Sequence, residues 1–147
     1  MRINYPAVAA SAVAYWVLGA LWYSPLLFAS PFIALKGYSP EQLAAIQSQS
    51  HGGEIGLAFV TSLLLAYVLA HFVKFTGAET ARTGALTAFW LWLGFVVTTN
   101  LETVIFEQRP LGLFLINNGY HLVGMLGMGA LLAVWRRREA RVPAYQS

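Results

Sequence analysis

The chain has 147 residues, 58% of them hydrophobic and 10% charged, with a net charge of +3. Soluble domains carry about 25% charged residues, so this chain lacks the polar surface needed to stay in water. It has no cysteine, which excludes disulfides, thiolate metal sites and covalent haem attachment.

Four apolar stretches follow in order, at about 7–28, 55–75, 84–106 and 111–135. Each approaches the roughly 20 residues that cross about 30 Å of hydrocarbon. Lipid offers no partners to free backbone groups, so these stretches are expected to be helices. The predicted fold is all-α: one integral membrane domain, a four-helix bundle made of two hairpins. The first stretch exceeds the 7–15 apolar residues of a signal peptide and starts with a single basic residue, Arg2, so it is expected to be retained.

An outer loop is expected at 29–53. Inside it, Ser39-Pro40-Glu41-Gln42 reads as a helix start, with Ser39 as cap and Gln42 closing a capping box. A short interfacial helix is therefore expected at about 40–49, before Gly52 and Gly53 turn the chain into the second span. The third and fourth spans are joined by a tight turn at Gln108-Arg109-Pro110, where proline suits the first turn of a helix. Beyond the fourth span, 136–147 reads as a basic tail.

Lys and Arg set the orientation. Arg2, Lys74, Arg82, Arg136, Arg137, Arg138 and Arg141 flank one side, against Lys36 and Arg109 on the other. Both termini are thus expected in the cytoplasm of a multi-pass plasma (inner) membrane protein. The run Arg136-Arg137-Arg138 contacts anionic lipid rather than nucleic acid. Small residues spaced for close helix contact, Ala7/Ser11, Ala10/Ala14 and Gly129/Ala133, offer packing faces and a route to a homodimer.

Polar residues inside hydrocarbon are costly and point to function or to helix–helix hydrogen bonds. With a 1.5 Å rise per residue, Asn100 and Asn118 lie level, about 13 Å from the turn at Arg109. Asn100, Thr103 and Glu107 share a helix face, as do Asn117 and His121. Tyr23 and Ser24 lie near the outer end of the first span, with Thr61 and Ser62 in the second. A polar pocket opening to the non-cytoplasmic side is expected, formed by Tyr23, Ser24, Asn100, Glu102, Glu107, Arg109, Asn117, Asn118, Tyr120 and His121. Glu107 and Arg109 also read as a rim ion pair, and Thr61, Ser62 and Tyr23 as interhelical hydrogen bonds. No metal site and no cofactor are expected: His71 and His121 differ in depth by about 9 Å, which misplaces them as a pair of axial ligands. No phosphate-binding loop, nucleophile elbow or paired carboxylates appear.

Leu18-Gly-Ala-Leu-Trp-Tyr-Ser-Pro-Leu-Leu-Phe28, Asn100-Leu-Glu-Thr-Val-Ile-Phe-Glu-Gln-Arg-Pro110, Leu115-Ile-Asn-Asn-Gly-Tyr120 and Ala133-Val-Trp-Arg136 resemble a small bacterial and fungal membrane family, domain of unknown function 1761. The resemblance spans nearly the whole chain. It implies a four-helix membrane protein without an assigned activity. Its motif residues map onto Trp22, Tyr23, Ser24, Pro25, Asn100, Phe106, Glu107, Arg109, Pro110, Asn117, Gly119 and Tyr120. Three functions compete: binding or passage of a small molecule or ion through the outward pocket, an accessory subunit of a larger membrane assembly, and an enzyme acting on a lipid or quinone-like substrate. The last is least favoured, because no His–carboxylate pair lies at one depth.

Overall fold

Helix α1 (Tyr5–Trp22) starts on Asn4, whose side-chain oxygen accepts from the Ala7 N–H at 2.9 Å, with Pro6 in its first turn. It stops six residues short of the expected Phe28. Pro25 has no N–H to offer the Leu21 carbonyl, and the Ser24 N–H and hydroxyl take that carbonyl instead, at 3.2 and 2.7 Å. The chain turns and enters a helix where a loop was expected, α2 (Ala29–Lys36), closed by Gly37 at φ 67°.

Helix α3 (Pro40–Ser48) carries the expected capping box: Ser39 Oγ accepts from the Gln42 N–H, and Gln42 Oε1 from the Ser39 N–H. His51 then ties α3 to α4 (Gly52–Phe75). Its Nδ1 lies 2.8 Å from Glu54 Oε2 and its Nε2 2.8 Å from the Ile46 carbonyl. Both partners are acceptors, so both ring nitrogens must donate, and the Glu54 bond first and the Ile46 bond second push the imidazole pKa up.

The third long helix starts at Ala81 rather than Gly84, because Thr80 caps it and pairs with Thr83. It runs as α5 (Ala81–Leu91), a wide π turn (Trp92–Val97) and α6 (Thr98–Ile105). After the turn, where Gln108 adopts φ 52°, α7 (Leu111–Arg141) extends for 31 residues. Residues 136–141, expected in the tail, continue this helix, as Arg suits helix interiors. The computed structural model describes residues 2–141, with side chains to 137, and among these every regular element is helical. The remainder of the expected tail, 142–147, lies outside the described residues.

Helix α7 packs against α1, α2, α4, α5 and α6. The tightest approach is at Gly84 and Gly129, where a Cβ on Gly84 would lie 2.1 Å from the Gly129 carbonyl oxygen. Ala88 and Ala133, both fully buried, extend this contact. At the end where α1 starts and α7 stops, Arg136 Nη1 donates to the carbonyls of Val73 (3.3 Å) and Ala78 (3.4 Å), and so caps the C-terminus of α4 with a cation.

The outer surfaces invert the pattern of a water-soluble protein. Leu57, Leu64, Trp90, Phe95 and Leu115 are all exposed on long helices, while charged groups gather at helix ends. Among the described residues, Tyr5–Trp22, Gly52–Phe75 and Ala81–Ile105 are long and apolar enough to cross a membrane. Helix α7 is longer still, but Asn117, Asn118, Tyr120 and His121 interrupt its apolar run.

Candidate functional site

The π turn decides what α6 presents to α7. Trp92 and Asn100 are eight residues apart, which in a regular α-helix leaves them about 80° apart around the axis. A wide turn that absorbs one extra residue reduces this to about 20°. Both side chains therefore reach the same residue of α7. Trp92 Nε1 donates to the Asn118 carbonyl at 3.0 Å, and Asn100 Nδ2 donates to Asn118 Oδ1 at 3.2 Å. Asn118 is 3% exposed and completes its bonding by donating Nδ2 to the Phe114 carbonyl at 2.8 Å.

Helix α1 approaches the same stretch of α7 from the other side. The Tyr15 hydroxyl and His121 Nδ1 are 2.5 Å apart, and the Tyr120 hydroxyl donates to the Tyr15 carbonyl at 3.1 Å. Two glycines make room for this. A Cβ on Gly124 would lie 2.4 Å from the Tyr15 ring, and one on Gly19 would lie 2.9 Å from the Tyr120 hydroxyl. Higher up, Trp22 Nε1 donates to the Ile116 carbonyl at 3.0 Å, and the Tyr23 hydroxyl to Asn117 Oδ1 at 2.7 Å.

Two of the cavities beside this network contain residues of the expected pocket. One, of about 160 Å³, is walled by Lys36, Asn100, Thr103, Arg109, Asn117 and Asn118, with His121 at its floor. The other is a groove of about 720 Å³ between α1, α4 and α7, lined mainly by Tyr15, Trp16, Tyr23, Ile55, Ala58 and Leu65. His121 lines both.

Asn100, Arg109, Asn117, Asn118 and His121 thus come together around the small cavity, while Tyr23 and Tyr120 line the groove. Ser24 is occupied with the end of α1. Glu102 is exposed and lines neither cavity. Glu107 pairs with Arg109, its Oε2 2.6 Å from Nε, with the two side chains 54% and 53% exposed. Thr61 and Ser62, expected to bond between helices, both donate to the Ala58 carbonyl within α4, the usual resort of a hydroxyl inside a helix.

Three contributors went unrecognised in the sequence. Lys36 reaches the cavity because α2 folds over the start of α7, where Leu35 packs so close that a Cβ on Gly112 would lie 2.6 Å from it. Nothing in an eight-residue helix foretells that docking. Trp92 depends on the π turn, which leaves no clear sequence mark. Tyr15 did leave a signal: with Gly19, Trp22 and Tyr23 it recurs at helical spacing, an aromatic stripe with a gap.

Fold and site together define a small protein whose described residues form helices throughout, three of them long and apolar enough to cross a membrane, with a polar cluster at the end remote from the start of α1. A family model described as a protein of unknown function (DUF1761) matches residues 6–133. The chain belongs to this family. No curated protein and no solved structure matches it significantly.

Proposed function

We propose that the chain is a four-span membrane bundle with cytoplasmic termini, whose small polar cavity binds an anionic molecule from the opposite side. Antiparallel packing of α7 against α5 and α1 supports a fourth span, since its polar residues face protein rather than lipid. The uneven flanking charge, seven Lys and Arg against two, supports the orientation.

One observation carries the functional reading. The two cations on the sparse side, Lys36 and Arg109, are far apart in sequence yet wall the same cavity. Amides of Asn100, Asn117 and Asn118 share that wall, and among the described residues no carboxylate does. Asn117 receives Tyr23 on its oxygen, which leaves its N–H groups for the cavity. Donors and positive charge around a small space suit a carboxylate or a phosphate-like group. Glu107 competes as an internal anion for Arg109.

Acetate, phosphate and sulfate are the direct probes, applied to the purified protein in detergent at constant ionic strength. At least one is expected to raise the unfolding midpoint, the stabilisation amounting to about 2.7 kcal/mol at 100 times its Kd. Lys36→Gln abolishes this shift and leaves the anion-free midpoint unchanged, whereas Glu107→Gln strengthens the shift by freeing Arg109. No shift with any of the three, or a shift that survives Lys36→Gln, refutes the reading.

A second reading has its own support. The bonds that Trp92 and Asn100 make to Asn118, and Tyr23 to Asn117, each join two helices, as packing devices do. An accessory subunit built this way would co-purify with partners at fixed stoichiometry.

A further inference from the structure

Resting on the anion reading above, we infer that the ligand is an amphiphile, with its anionic head in the small cavity and its apolar body in the adjoining groove. The small cavity, at about 160 Å³, has room for a head group and little else. The groove, at about 720 Å³, falls in the 300–1,000 Å³ range of ligand pockets, and its walls are aromatic and aliphatic. Its hydroxyls at Thr61 and Ser62 donate to the Ala58 carbonyl, so neither has a proton left for a polar ligand.

Polarity in the groove is concentrated where it meets the cavity. His121 belongs to both walls. Beside it the two walls touch: Tyr23 lines the groove, Asn117 lines the cavity, and the Tyr23 hydroxyl donates to Asn117 Oδ1. The resulting site grades from Lys36 and Arg109 through amides and an imidazole to Trp16, Ile55 and Leu65. That gradient matches a charged head on an apolar chain entering sideways from the bilayer, and it does not match a free inorganic anion, which gains nothing from the groove.

Four probes separate the possibilities in detergent-purified protein: acetate, laurate, dodecanol and laurate on the Ala58→Trp variant. Ala58 is exposed on the groove wall, so tryptophan there fills the groove without touching the cavity. Laurate is expected to raise the unfolding midpoint at concentrations at least tenfold below acetate, and dodecanol to have no effect. Ala58→Trp removes the advantage of laurate and preserves the response to acetate. Equal potency of laurate and acetate, or a laurate advantage that persists in Ala58→Trp, overturns the amphiphile inference while the anion reading stands. Failure of both acids to stabilise the protein overturns the amphiphile inference, and failure of phosphate and sulfate as well overturns the anion reading with it.

Discussion

Gly84→Ala and Gly129→Ala each destabilise the protein by about 1–3 kcal/mol, read as a lower unfolding midpoint in detergent. The added methyl on Gly84 meets the Gly129 carbonyl oxygen at 2.1 Å, and the one on Gly129 meets the Gly84 carbonyl oxygen at 2.4 Å. Backbone cannot rotate away as a side chain does, so α5 and α7 must separate along the whole contact that includes Ala88 and Ala133. Gly127→Ala is the internal control. Nothing lies within 4 Å of its new methyl, and a glycine removed from a helix interior gains up to about 1 kcal/mol. Loss at positions 84 and 129 with no loss at 127 is the expected pattern. Equal effects at all three positions would mean that the helices do not cross there.

Asn118→Ala has the next largest effect, a loss of about 2 kcal/mol. The substitution opens space beside α6 and leaves the half-buried Asn100 amide without its acceptor. A double-mutant cycle with Asn100→Ala isolates the direct bond, for which a coupling between about 0.6 and 1.7 kcal/mol is expected. Zero coupling would remove the Asn100–Asn118 bond from the account. Trp92, which bonds the Asn118 main-chain carbonyl rather than its side chain, should keep its hydrogen bond in either variant.

The level depth of Asn100 and Asn118 was readable because a tight turn and a fixed rise determine it. So was the start of α3, where Ser39, Pro40 and Gln42 interact only with each other. The small-residue pair Gly129/Ala133 was recognisable as a contact face, although its partner, Gly84, was not. What escaped the sequence depends on tertiary context. Pro25 ended α1 early because the competing bonds of Ser24 to Leu21 were available, and a span reading by hydropathy alone overlooks such local competition. Helix α2 is too short to show periodicity, and its docking on Gly112 is what brings Lys36 to the cavity. The wide turn at Trp92–Val97 arises in a uniformly apolar segment, where nothing in the residue types distinguishes it from regular helix.

The natural absence of cysteine gives the most direct test of an outward-opening cavity in a membrane-spanning bundle, because each introduced thiol is the only one present. Gln47→Cys on α3, Thr103→Cys at the cavity and Glu79→Cys in the turn between α4 and α5 are exposed in intact cells to a small membrane-impermeant thiol reagent. Labelling of positions 47 and 103 without permeabilisation, and of 79 only after it, is the predicted result. Labelling of position 79 from outside while 47 stays protected would contradict the account.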